Sequence, residues 1–160
     1  MKQLLEYRAL LLDRLARQPD ELAGAVDAVS EAEWRQRRVE AGRTLHQLLA
    51  HVRDLEALAF LPRLRRVLAE DHPALEAFPS HHWSLEDYQP GEPAADILSG
   101  FARARAEALA LLRPLPVEGW NRTGFHPPSG PRTAQWWAER MYVHAQEHLD
   151  EMRRALSSTD

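Results

Sequence analysis

Near its C-terminus the chain carries His144-Ala-Gln-Glu147-His148, two imidazoles four residues apart, and a third histidine, His51, stands in an earlier helical segment. Residues four apart on an α-helix project from one face about one turn apart, so both rings can reach a single ion. Two ligands do not complete a site, and His51 is the candidate third arm. Between about Thr133 and Leu156 the intervals of three and four place Ala134, Trp137, Met141, His144, His148, Met152 and Ala155 on one stripe. Imidazoles buried beside Trp and Met need partners for their nitrogens. A metal is one such partner, and buried hydrogen bonds are another.

Composition limits the chemistry. The chain has 160 residues, 44% hydrophobic and 28% charged, which suits one globular domain spanning residues 1–160. A formal net charge of -4 disfavours a nucleic-acid partner. Without cysteine there is no disulfide, no thiolate nucleophile and no cysteine-rich zinc module, so a metal would be held by His, Asp or Glu. The start, Met1-Lys2-Gln3-Leu4-Leu5-Glu6, is broken by charges. It offers no signal peptide or membrane span, and a cytoplasmic location is expected.

Four helices are predicted to position the histidines. The first covers about Lys2 to Val29 with a stripe of Leu4, Leu11, Leu15, Leu22, Val26 and Val29, in one piece or split at Pro19. Thr44-Leu45-His46-Gln47 fits a capping box that starts the second, which runs through Leu48, His51, Leu55 and Leu58 toward Glu70, with Pro62 expected to bend or interrupt it. Residues 71–93 form a long irregular connection. The third helix spans about Ala94 to Arg113, with Ile97, Phe101, Ala104, Ala108 and Leu112 on one side, stopped by Pro114 and Pro116. Gly124 to Pro131 reads as a rigid loop leading into the fourth. Four amphipathic helices with these connections predict an all-α four-helix bundle, in whose interior metal sites are commonly built.

At two stretches the chain resembles the DinB-like family, also known as DinB/YfiT-like metal-dependent hydrolases. They are Gly42-Arg43-Thr44-Leu45-His46-Gln47-Leu48-Leu49-Ala50-His51-Val52-Arg53-Asp54-Leu55-Glu56 and Met141-Tyr142-Val143-His144-Ala145-Gln146-Glu147-His148-Leu149. The family pattern is a capped helix start, a ligand histidine with an acidic residue soon after, and a late His-x-x-x-His helix. Arg43 departs from it, since family members commonly carry an aromatic there. The resemblance implies a bundle of the DinB/YfiT-like type, His51, His144 and His148 as metal ligands, and a homodimer. It also implies activity on a small-molecule substrate, either hydrolysis or transfer of a low-molecular-weight thiol.

Three neutral imidazoles would leave the ion's charge uncompensated and a coordination position open for water or a thiol. Zinc and nickel suit such a donor set best, and iron or copper also fit. Asp54, Glu56 and Glu147 are the carboxylates available as a base, each more simply read as supporting or solvated. The contrasting reading is a non-catalytic, stress-associated bundle whose metal is structural or absent. His144-x-x-Glu147-His148 also matches the inverted zincin signature, but Glu147 points about 100° around the helix from His148, against a protease. His46, His72, His81, His82 and His126 read as surface or loop residues, with His81, His82, Trp83 and His126 candidates for the mouth of the site. Trp136 and Trp137 read as one exposed and one core aromatic. Arg35, Arg37, Arg38, Arg63, Arg65 and Arg66 read as solvated faces.

Overall fold

A computed structural model describes residues 1–77 and 87–158, and it places six α-helices in a four-helix bundle with one small hairpin. The helices are α1 (Lys2–Asp27), α2 (Glu31–Gln36), α3 (Leu45–Asp54), α4 (Leu61–Ala69), α5 (Ala94–Leu112) and α6 (Ala134–Ser157). A π-helical turn, Leu55–Phe60, joins α3 to α4, making one rod of the bundle. α1, α5 and α6 supply the other three. α1 packs on α5 and α6, and α3 packs on both of these from the other side. His81, His82 and Trp83 lie outside the described residues. Among the described residues no helix is long and apolar enough to cross a membrane.

Pro19 does not split α1. A proline lacks the N–H that would bond the carbonyl four residues earlier, which here belongs to Leu15. That carbonyl accepts instead from Arg105 Nη1 at 2.9 Å, so α1 continues with no orphaned acceptor. The buried face is Arg8, Leu11, Leu15, Gln18, Leu22 and Ala25. Leu4 and Val29 from the expected stripe stay only partly covered, since Leu4 lies near the free end and Val29 beyond the last turn.

Thr44 caps α3 through a full capping box, its Oγ1 accepting from Gln47 N at 3.1 Å while Gln47 Oε1 accepts from Thr44 N at 2.9 Å. A second capping box, Ser30 with Glu33, starts α2, a helix that the periodicity did not reveal because it is only six residues long. α2 brings Trp34 into the core, where its Nε1 donates to Val26 O at 3.1 Å.

Pro62 sits at the start of α4 and leaves the carbonyl of Leu58 without its helical donor. The chain accommodates this with the wider turn of residues 55–60, which shifts the phase of the helix. The expected stripe therefore fails at Leu58, which is 61% exposed, while Ala59 and Phe60 turn inward. The loop expected at Gly124–Pro131 is instead an antiparallel hairpin of β1 (Thr123–His126) and β2 (Gly130–Thr133), with Gly130 at φ 76°. Pro and Gly mark the turn but conceal the two short strands beside it. Leu75 N donates to Phe125 O at 2.7 Å, tying the chain beyond α4 to β1.

Two apolar clusters fill the bundle. One gathers around Leu15, Phe60, Leu64, Trp137 and Met141, the other around Leu22, Leu48, Phe101, Leu149 and Met152. Between them, along their own helices, stand Gln18, Arg105 and His144, all buried. A polar layer thus crosses the interior, and the site belongs to it.

Candidate metal centre

His51 lies two turns into α3, three residues after Leu48 and four before Leu55, on the face turned to α5 and α6. His144 and His148 are one turn apart on α6. The packing of α3 against α6 closes the gap between them. Nε2 of His51 and Nε2 of His144 are 3.2 Å apart, and one ligand atom from each of the three rings lies within 4.8 Å of the others. His51 is 6% and His144 5% exposed, and the side chain of His148 is 15% exposed. Ring centroids are 4.6–5.1 Å apart, with all three planes mutually inclined.

The donor set fits a metal. Two nitrogens sharing a tetrahedral zinc with bonds of about 2.0–2.1 Å stand roughly 3.3 Å apart, close to the observed Nε2 separation. The rings are also held in the state that a ligand requires. Burial first, then the charges of His148 and Arg43, push His51 down to about 3. Burial, then His148 and His51, push His144 down to about 2. His148 is lowered by burial too, with Glu151 acting in the opposite direction. At neutral pH all three are neutral, each keeping a lone pair. Arg43, the departure from the family pattern, is half-buried and adds its positive charge to this environment.

Packing fixes the rings. Phe60, brought inward by the π-helical turn, lies edge-on to His144 at 5.3 Å between centroids, and Trp137 stands behind Phe60 at 6.5 Å. Trp137 is the core member of its pair and Trp136 the partly exposed one. His126 packs on Trp137 at 5.3 Å and its Nδ1 is 2.6 Å from Ser129 Oγ, so it joins the hairpin rather than the cluster. His72 is exposed, with Nδ1 2.8 Å from Thr123 Oγ1.

Several expectations need correction. His46 is not a surface residue: it is fully buried, bonded at Nδ1 to the hydroxyl of Tyr88 and at Nε2 to Glu92 O, 2.6 Å away. It pins the segment before α5 to α3. Glu56 is not solvated either. It forms a fully enclosed pair with Arg105, whose guanidinium also reaches Leu15 O, Gln18 Oε1 and Met141 O. A charged residue on the apolar side of α5, between Ala104 and Ala108, is the signal in the sequence that could have revealed it. Arg63 is buried over the Trp137 ring, and Arg37 donates to Ala155 O and Leu156 O at the end of α6, a favourable place for a cation. Asp54 accepts from Arg53 Nε at 2.6 Å, whereas Glu147 is exposed.

An open cleft of about 540 Å³ lies between residues 38–41 and the end of α6, with Glu151 and Arg154 in its wall. Glu151 connects the cleft to the histidines, because its Oε1 is 3.5 Å from His148 Nδ1.

No curated protein matches the sequence. Among solved structures the chain is similar to YfiT from Bacillus subtilis, described as a probable metal-dependent hydrolase with an unusual four-helix bundle topology. The TM-score is 0.79 at 20% identity, over 96% of this chain and 90% of that one, a likeness of fold. Residues 14–152 match the family model of the DinB superfamily, with helix order, capped α3 and late histidine pair all inside that span, and the chain belongs to this superfamily.

Proposed function

We propose that His51, His144 and His148 hold one divalent ion, zinc or nickel, and that the protein is a metal-dependent enzyme acting on a small molecule. One observation carries the reading: three neutral imidazoles from two separate helices converge within 4.8 Å inside the bundle. An ion held by three neutral ligands keeps an open position and a large uncompensated charge, which activates water for hydrolysis or binds a low-molecular-weight thiol as thiolate. The chain's own residues hold the imidazoles deprotonated, and Phe60 shields His144 from water. The cleft walled by Glu151 and Arg154 has the size of a small-ligand site. As the sequence has no cysteine, a reactive thiol would enter as a cosubstrate. The homodimer, the cytoplasmic setting and a single domain over residues 1–160 belong to the same proposal.

A non-catalytic bundle with a structural ion is the second reading, and one observation favours it. Of the three candidate bases, Asp54 and Glu56 are engaged by Arg53 and Arg105 and Glu147 faces solvent.

Metal content of untagged protein, measured by mass spectrometry after loading with limiting zinc or nickel, tests the first reading. About one ion per chain is expected, lost in His51→Ala and in His148→Ala. Binding that ignores both substitutions would refute the site. In a cobalt-loaded sample, a small thiol should change the visible spectrum if a position is open, and a closed structural site would leave it unchanged.

A further inference from the structure

Glu151 follows His148 by three residues on α6, so the two side chains leave neighbouring points of one helical face. Its Oε1 lies 3.5 Å from His148 Nδ1, at the outer limit of a hydrogen bond. The Glu151 side chain is 30% exposed to the open cleft, and Nδ1 itself is buried with no closer partner among the described residues. Neutral imidazole carries a single proton, and the partner of one nitrogen decides which nitrogen keeps the lone pair. An ionised carboxylate only accepts hydrogen bonds. It therefore favours a proton on the nitrogen it faces, here Nδ1.

We propose that Glu151 is a positioning residue of the metal centre: its carboxylate accepts the Nδ1 proton of His148, fixes that ring and tautomer, and leaves Nε2 as the ligand atom. The role rests on the metal reading given above. It makes the donor set uniform, since His51 and His144 already present their Nε2 atoms to each other. Glu151 itself stays outside the group of mutually close ligand atoms, so it leaves the ion's remaining position free. A carboxylate behind a ligating histidine holds the ring's orientation and raises its basicity, and loss of such a partner typically weakens metal binding ten- to a hundredfold. Glu147, next to His148 in sequence, cannot substitute for it because it points into solvent.

Nitrogen NMR of the histidine rings in metal-free protein, paired with zinc titration against a chromogenic chelator, tests the assignment. In the parent, His148 is expected as the Nδ1–H tautomer. Glu151→Ala should mix the tautomers and weaken zinc binding about ten- to a hundredfold, with helical content unchanged by circular dichroism. Glu151→Gln, whose amide oxygen still accepts, should restore the tautomer and part of the affinity, which a packing role alone would not produce. Glu147→Ala should alter neither reading. If the parent binds zinc and Glu151→Ala changes neither tautomer nor affinity, the role of Glu151 is overturned while the three-histidine site stands. A proton found on Nε2 of His148 in the parent overturns it as well. A parent that binds no zinc overturns the metal reading and this role together, a failure visible in the parent alone.

Discussion

Arg105 grips Glu56 with two hydrogen bonds, Nε to Oε1 at 2.5 Å and Nη2 to Oε2 at 3.1 Å, and neither side chain reaches solvent. The same guanidinium bonds Leu15 O on α1 and Met141 O on α6, one turn before His144. One residue of α5 thus ties three other parts of the bundle together at the level of His144. Removing one partner of a buried pair strands the other charge in an apolar interior. Arg105→Met should lower stability by about 3–5 kcal/mol in urea denaturation. The double variant Glu56→Gln with Arg105→Met should recover part of that loss. Equal losses in the single and double variants would show that the stranded carboxylate is not the cause.

The low values of His51 and His144 make the metal-free protein sensitive to acid. An unfolded histidine titrates near 6.5, whereas the folded ones hold out to about 3 and about 2. As pH falls below about 6.5 the unfolded chain takes up protons that the folded chain refuses, so stability is full above that pH and declines beneath it. Each such histidine contributes about 1.4 kcal/mol per pH unit, giving a loss of up to about 4 kcal/mol between pH 7 and pH 5. Urea titrations across this range should show it, and His144→Ala should flatten the dependence by close to one proton. A stability independent of pH would mean that the rings are not held neutral by burial.

Metal should stabilise the fold through all three ligands. At a free concentration a hundred times its dissociation constant, a ligand adds about 2.7 kcal/mol, or roughly 5–10 °C in melting temperature for a chain of this size. Differential scanning fluorimetry with zinc or nickel is expected to show that rise in the parent. His51→Ala, His144→Ala and His148→Ala should each abolish most of it. An equal rise in any one variant removes that histidine from the site.

His46 supplies the contrast, a buried histidine with a different task. Its ring joins α3 to Tyr88 and Glu92, and its deletion removes both bonds and empties a fully buried position. His46→Ala should destabilise by about 2–3 kcal/mol. Metal stoichiometry should stay at the parent value, and a loss of bound ion would place His46 in the metal centre.

Helix boundaries and ligand spacing could be read from the residues because they depend on local chemistry. Thr44 with Gln47 announces the start of α3, and His144 with His148 sets two rings on one face whatever surrounds them. Trp137, Met141 and Met152 declare the inward side of α6 by their period alone. Interactions between elements left fainter traces, such as a charged Arg105 on the apolar side of α5. A one-residue phase shift at Leu55–Phe60, beside Pro62, exposes Leu58 and brings in Phe60, which packs against Trp137 and His144. The carbonyl that Pro19 frees is met by Arg105, 90 residues along the chain, and His46 is buried by Tyr88 and Glu92 from beyond α4. The sequence by itself determined four amphipathic helices and two histidines on a shared face. That His51 lies 3.2 Å from His144 was decided by the tertiary structure, because the docking of α3 on α6 is a property of the whole packed interior.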